Sequence, residues 1–245
     1  MPLYDKPVRK LFWDMVADMS LQKGAVLTRQ QAIDWFGTNY PKVKPATIAA
    51  HLIRLSVNAP SRHHYSAKPG EDDLLYQIDS SRFRLYDADV DPPPLIQGTE
   101  SPDETEPEAG DDTVTGAEFA YERDLKHFLA RNLFLIEPGL RLFEEEEVSG
   151  LEFPVGGRFV DILAVDAQGN LVVIELKVSK GYDRVVGQLL RYMAWIEQNQ
   201  AEPDQQVRGI IIARTISEDL QLACSLVEGV SLFEYELAVT LHRIT

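Results

Sequence analysis

Cysteine is nearly absent from this chain of 245 residues: Cys224 stands alone. An internal disulfide and a cysteine-rich zinc site are thereby excluded. No run of about 18 apolar residues occurs, so no membrane-spanning helix is expected. The opening MPLYDKPVRK has no apolar stretch of the kind a secretory signal needs, and a cytoplasmic location is expected. There is no GxxxxGK[ST] loop, no GxGxxG after a strand, no GxSxG and no HExxH. A nucleotide cofactor, a serine-hydrolase elbow and a zincin site therefore find no support, and any ATP-driven step would need a separate protein. There is no internal repeat.

Basic residues are also in deficit: 24 Lys and Arg against 39 Asp and Glu leave a net charge of -15. That balance speaks against a nucleic-acid partner until its distribution is considered. Residues 99–120 hold eight acids and no base, about half of the excess. Residues 91–117, DPPPLIQGTESPDETEPEAGDDTVTGA, cannot build a core and read as an acidic, self-repelling linker. The chain thus divides into residues 1–90, a linker over 91–117, and residues 118–245.

In the first unit, Val8 to Met19 has the apolar spacing of an amphipathic helix. Thr28 followed by Gln31 forms a capping box ahead of Ala32, Ile33, Trp35 and Phe36. Pro45 opens a third helix running to Leu55. Two short strands are expected at Asp73 to Asp79 and Arg82 to Tyr86. Three helices and a hairpin is the order of a winged helix-turn-helix. Its third helix would read DNA, because Lys42, Lys44, His51, Arg54, Arg62, His63, His64 and Lys68 gather there and no acid lies between Asp34 and Glu71. A protein-contact role, with these charges merely solvated, is the alternative.

The stretch that organises the second unit is GGRFVDILAVDAQGNLVVIELKVSKGYDRVVGQLLRY, residues 156–192. A strand through Val160, Asp161 and Ile162 ends at the turn Asp166 to Asn170, and a second strand runs from Leu171 into Glu175-Leu176-Lys177. Alternation puts Glu175 and Lys177 on one face and Leu176 in the core. Asp161, on the preceding strand, joins them at one end of an otherwise apolar sheet. Two carboxylates suit a hard divalent cation, Mg²⁺ or Mn²⁺, which activates water and offsets charge on a phosphate. A neighbouring lysine can orient the nucleophile.

The spacing Asp161…Glu175-x-Lys177 resembles the PD-(D/E)xK nuclease superfamily, with Val160 in the proline position. Gln188 and Tyr192, four apart on one helix face, resemble the QxxxY motif of RecB-type members. The wider run, extended back to Tyr121–Asn132 and forward to Arg208–Ala213, resembles the catalytic domain of NucS-type endonucleases. The resemblance implies an α/β, restriction-endonuclease-like mixed-sheet core. It implies catalytic roles for Asp161, Glu175, Lys177, Gln188 and Tyr192, with Asp161 and Glu175 as the metal ligands. Glu122 would support the metal, or else is a surface acid. The element order read here is α-β-β-β-α-β-α-β, with Leu140 to Glu147 as the first strand and its four glutamates solvated or at an edge.

These readings combine into a metal-dependent endodeoxyribonuclease targeted by its N-terminal module, in restriction, phage defence or repair; the resemblance implies that it leaves a 5′-phosphate. DNA is the expected partner, and a homodimer follows if both strands are cut. A DNA-binding regulator with an inert nuclease-like scaffold, and a ribonuclease, are the alternatives. NucS-type enzymes carry a different, β-rich N-terminal half, so mismatch or branched-DNA specificity does not transfer.

Overall fold

The computed structural model describes residues 4–65, 67–95, 116–177 and 182–236. Most of the acidic linker, together with the side chains of His63 and His64, lies outside the described residues.

The N-terminal module runs α1 (Val8–Asp18), β1 (Leu27–Thr28), α2 (Arg29–Asn39), α3 (Pro45–Arg54), a 3₁₀ turn (Pro60–Tyr65), β2 (Leu75–Gln77) and β3 (Arg82–Leu85). The expected capping box forms: Thr28 Oγ1 accepts from the Gln31 N–H at 3.2 Å, and Gln31 Oε1 accepts from the Thr28 N–H at 2.8 Å. The short strand β1, not foreseen, pairs antiparallel with β3 and completes a three-stranded sheet, β1-β3-β2. This is the winged-helix order. Phe12, Met15, Phe36, Ile48, Leu52 and Phe83 fill its core.

The C-terminal domain begins with α4 (Gly116–Arg131) and is built on a six-stranded mixed sheet. Its strands are β4 (Arg141–Leu142), β7 (Leu151–Val155), β8 (Arg158–Val165), β9 (Leu171–Lys177), β10 (Val207–Ala213) and β11 (Val230–Glu234). The order is β11-β10-β9-β8-β4, with β7 also paired to β8. β9, β10 and β11 are parallel, and β4, β7 and β9 run antiparallel to β8. α5 (Tyr182–Asn199) and α6 (Glu218–Cys224) make the crossovers. α5 lies on one face through Val185, Leu189, Tyr192 and Ile196, all buried. α4 covers the other face with Leu125 and Leu129 against Ile162, Ile174, Leu176 and Ile210. Gly209 lets α5 sit close to β10, since a Cβ there would meet Met193 Sδ at 2.7 Å and Leu189 Cδ2 at 2.8 Å.

Two expectations need correction here. The stretch from Leu140 to Glu147 is not one strand. It breaks into β4 and a separate hairpin of β5 (Glu144–Glu145) and β6 (Val148–Ser149). The apolar spacing of Phe119, Leu125, Phe128 and Leu129 predicts that all four form the stripe of a helix over 118–132, yet Phe128 is 49% exposed.

The third helix is where the structure departs furthest from the sequence reading. Every residue from Ala46 to Arg54 is buried. One side of α3 completes the winged-helix core, while Ala46, Ala50 and Ile53 join a cluster that includes Phe153, Val155, Val160 and Val185 of the C-terminal domain. The helix expected to read DNA is instead the seam between the two halves. The basic residues face the glutamate hairpin. Thr47 Oγ1 donates to Glu145 Oε2 at 2.9 Å, and Gln200 Nε2 donates to the same oxygen at 3.0 Å. Lys44 lies 3.8 Å from Glu145 and 2.8 Å from Glu202. His51 Nε2 meets the Glu146 carbonyl at 3.0 Å, and Arg54 Nη1 donates to the Glu147 carbonyl at 3.3 Å. Arg9 Nε pairs with Glu147 at 2.8 Å, and both arginines share the fully buried Asp72, at 3.1 and 3.2 Å. Arg62, also buried, pairs with Asp73. The expectation that His51, Arg54 and Arg62 form a solvent-facing basic patch is therefore corrected: they are internal. Of the basic residues expected on DNA, Lys42 and Lys68 are exposed and Lys44 is half-buried.

The seam carries a pH dependence. Burial, then the nearby Arg54 charge, pushes His51 down to about 3. His51 is thus neutral in the folded protein and charges more readily when unfolded, near 6.5. Its contribution is complete above about 6.5 and is lost as pH falls toward about 3. At pH 5 that loss is about 2 kcal/mol. Chemical denaturation of the wild type and His51→Gln at pH 7.5 and 5 should give a smaller acid-induced loss in the variant; equal losses would remove His51 from this role. Separately, Gly209→Ala should destabilise the domain by about 1–3 kcal/mol through overpacking, which urea unfolding measures.

Candidate active site

The ladder between β8 and β9 runs from Val165↔Leu171 to Ile162↔Ile174 and stops. The next residues in register are Asp161 and Glu175. Where a further backbone bond would fall, the Leu176 N–H donates to Asp161 Oδ2 at 2.9 Å. A side-chain carboxylate has replaced a main-chain acceptor, which satisfies a buried N–H and fixes one Asp161 oxygen. Asp161 Oδ1 accepts from Lys126 Nζ at 3.3 Å, and Lys126, on α4, also pairs with Glu152 of β7 at 2.5 Å.

Glu175 is 1% exposed, enclosed by α5 on the face opposite α4. Its Oε2 accepts from Gln188 Nε2 at 3.3 Å and lies 3.8 Å from Lys177 Nζ. Gln188 Nε2 also donates to the Tyr192 hydroxyl at 3.1 Å. The second oxygen of Glu175, Oε1, is buried without a hydrogen-bond partner. Burial and then the Asp161 charge push the Glu175 carboxyl well above the usual range, against the pull of Lys177. The Glu122 carboxyl is also raised, first by burial and then by Asp161, so it stands within the field of that carboxylate. Burial alone would lower the Lys126 ammonium, but Asp161 and Glu152 outweigh it and hold it above the ordinary range. Tyr192 is raised by burial and by Glu175.

Asp161, Glu175, Lys177, Gln188 and Tyr192 thus come together at one end of the sheet, with Glu122 one helical turn from Lys126 on α4. Sequence reasoning missed Lys126 and Glu152. Lys126 had a signal, because it stands four residues after Glu122 and shares its helix face. Glu152 had none, since β7 was not anticipated as a strand. Lys42, Lys44, His51, Arg54 and Arg62 do not join this cluster; they lie at or beside the seam.

Two carboxylates flanking one strand end, one of them with an unpartnered buried oxygen, suit a hard divalent cation. Among the described residues no three His, Cys, Asp or Glu side chains are gathered so as to hold an ion by themselves. The donor set therefore suits an ion that keeps several waters and substrate oxygens beside one or two carboxylates, which is the habit of Mg²⁺.

Parts of the chain are similar to known proteins. Residues 121–232 match the endonuclease NucS C-terminal domain. The C-terminal half thus resembles a NucS-type nuclease domain of the PD-(D/E)xK kind. Residues 7–85 match a domain of unknown function (DUF7669). Endonuclease NucS of Pyrococcus furiosus is 33% identical over 107 residues, 43% of this chain and 35% of that protein. Endonuclease NucS of Sulfolobus acidocaldarius is 35% identical over 98 residues, 40% of this chain and 35% of that protein. The chain thus spans about a third of the length of the NucS relatives it matches. A crystal structure of a repair endonuclease from Pyrococcus abyssi is 29% identical, covering 51% of this chain and 48% of that chain at a TM-score of 0.37. Among the described residues no helix is long and apolar enough to cross a membrane.

The site is held at a cost in stability. A buried carboxylate with an unpartnered oxygen costs about 1–3 kcal/mol. A carboxyl raised on folding imposes no penalty below its unfolded value near 4.3 and an increasing one as pH rises above it. Glu175→Gln should therefore unfold at higher denaturant than wild type at pH 7.5 without divalent metal, with the difference shrinking toward pH 4. A variant less stable than wild type at pH 7.5 would show that Glu175 is not strained.

Proposed function

We propose that this protein is a metal-dependent endodeoxyribonuclease that hydrolyses DNA phosphodiester bonds at the site formed by Asp161, Glu175 and Lys177. The observation that carries this reading is the pair of carboxylates meeting at the end of the β8–β9 ladder, with Glu175 Oε1 buried and unpartnered. The likeness of residues 121–232 to the NucS C-terminal domain supports it.

In this reading Asp161 and Glu175 hold Mg²⁺ or Mn²⁺. When bound, the cation supplies Lewis acidity, activating water and offsetting charge that develops on the scissile phosphate. The chain's own groups do the rest. The Lys177 ammonium, 3.8 Å from Glu175, orients the attacking water and stabilises the pentavalent charge as a point donor. Gln188 fixes the Glu175 oxygen and the Tyr192 hydroxyl together, so the carboxylate is aimed before substrate arrives. Glu122 supports the metal environment from α4. The leaving 3′-oxygen takes a proton from solvent, and the product keeps a 5′-phosphate.

The N-terminal module enters this proposal differently from the reading based on sequence. With α3 enclosed at the seam, DNA contact by the module falls to its exposed surface, Lys42 included, and a homodimer would supply the second site for a double-strand cut. Restriction, phage defence and repair are all compatible settings.

The purified chain should nick or linearise plasmid DNA with Mg²⁺ or Mn²⁺ and stop with EDTA. Asp161→Ala and Lys177→Ala should each lower the rate by about a hundredfold or more, the scale set by losing one preorganised charged group. Cleavage by either variant at the wild-type rate would sink the assignment. Labelled RNA run in parallel, if cut in preference to DNA, would move it to a ribonuclease.

A further inference from the structure

Register sets three acids in one row across three strands. On one side of β8 the pairs Leu151↔Ile162 and Phe153↔Val160 bracket Glu152 and Asp161, which therefore stand opposite each other. On the other side, Asp161 stands opposite Glu175, one step beyond Ile162↔Ile174. Like charges directly opposite on neighbouring strands repel. Lys126 is inserted where that repulsion is greatest, 2.5 Å from Glu152 and 3.3 Å from Asp161, with its side chain only 12% exposed.

The two distances are unequal, and the inequality has a use. Asp161 Oδ2 takes the 2.9 Å bond from the Leu176 N–H, whereas Oδ1 takes only the longer 3.3 Å bond from Lys126, so Oδ1 is the oxygen a cation claims more easily. An ammonium seated squarely on Oδ1 would compete with that cation. Lys126 instead lies closer to Glu152. The backbone of Glu152 is the unusual part: its φ is 49°, left-handed for a non-glycine residue within a strand. Such a conformation costs on the order of 1–3 kcal/mol and persists only where the surroundings over-determine it. Its carbonyl accepts from the buried hydroxyl of Tyr65, at 3.5 Å, from the N-terminal module.

We propose that Glu152 is a positioning residue that takes the closer share of the Lys126 ammonium, so that only a long contact holds Asp161 Oδ1 and a divalent cation displaces it, while the row of acids stays charge-balanced. This rests on the metal-site reading above. Glu152 does not touch the metal or the substrate; it acts through Lys126. Without it, Asp161 is the carboxylate already in contact with the ammonium, with Glu122 further along the same helix face, and the ammonium closes on Oδ1.

The test is Mn²⁺ binding by the full chain without DNA, followed by calorimetry or by free-Mn²⁺ resonance signal. Glu152→Gln keeps the size and backbone of the residue and removes the charge. It should weaken Mn²⁺ binding by about 10–100-fold, the range for losing a partner behind a metal ligand. In a Lys126→Met background the same Glu152→Gln change should have no such effect, because the competing ammonium is gone. A Glu152→Gln variant that binds Mn²⁺ like wild type, or one equally weakened in both backgrounds, overturns the proposal. Asp161→Ala separates this from failure of the site itself. If that variant loses Mn²⁺ and Glu152→Gln does not, the metal site stands and the role of Glu152 falls. If Asp161→Ala binds as wild type, the metal-site reading fails first and the role of Glu152 falls with it. Circular dichroism of each variant checks that it is folded.

Discussion

Glu152, Asp161 and Glu175 stand in one register row on β7, β8 and β9, and a sheet does not tolerate three unscreened carboxylates side by side. The rest of the C-terminal domain answers that constraint. The ladder opens at Asp161, so one carboxylate takes a main-chain N–H instead of facing its neighbours. α4 delivers Lys126 from one face of the sheet, and β9 delivers Lys177 from two residues beyond Glu175. α5 delivers Gln188 from the opposite face. Glu175 Oε1 is still left over. The apolar shell of Ile162, Ile174, Leu176 and Ile210 makes this cluster costly and at the same time keeps it in place. Reactive groups on strand ends, held by packed helices on both faces, are more sharply positioned than groups on loops.

The N-terminal module is part of that shell. Its helix α3 lacks the polar outer face that a groove-reading helix needs. Ala46, Ile48, Ala49, Ala50, Leu52 and Ile53 surround it with small or apolar side chains, and a helix apolar all round is a buried one. Its charges lie at the ends and meet acids, Glu145 and Glu147 of the hairpin and Asp72 of its own module. Pairing one buried arginine with a shared carboxylate is close to neutral in stability, while losing one partner is strongly destabilising. The ion pairs therefore specify how the halves meet more than they strengthen the contact, and the apolar contact of Ala46, Ala50 and Ile53 supplies the attraction.

How much of this was legible in the sequence follows from the range of each interaction. Helix spacing, the Thr28–Gln31 capping box, the strand ending in Glu175-Leu176-Lys177 and the Gln188–Tyr192 pair are local patterns, and the structure contains each of them. The mixed sheet follows from the order of those elements. What could not be read depends on register between segments far apart in the chain. β7 contains a proline and reads poorly as a strand, so Glu152 was invisible as the neighbour of Asp161. The four glutamates at 144–147 look like a solvated run until α3 lies against them. The apolar character of α3 was legible all along, but the basic residues at its ends drew the reading toward DNA.

Backbone strain ties the seam to the site. Four non-glycine residues among those described have positive φ, and three of them are Glu146, Glu147 and Glu152. Glu146 and Glu147 form the two-residue turn between β5 and β6, where glycine or asparagine is the usual occupant. Each left-handed glutamate costs on the order of 1–2 kcal/mol, so the turn persists because His51, Arg9 and Arg54 hold its carbonyls and carboxylate. Five residues on, Glu152 is held by Tyr65 of the same module on one side and by Lys126 on the other. The segment from Glu144 to Val155 is therefore gripped by the N-terminal module along its length and presents a carboxylate to the Asp161 row at its far end. Remove the module, and Phe153 and Val155 lose cover while the strained turn and the strained backbone of Glu152 lose contacts that hold them. The module's place in the fold is then structural before it is anything else: it keeps one wall of the acid row where Lys126 can reach it.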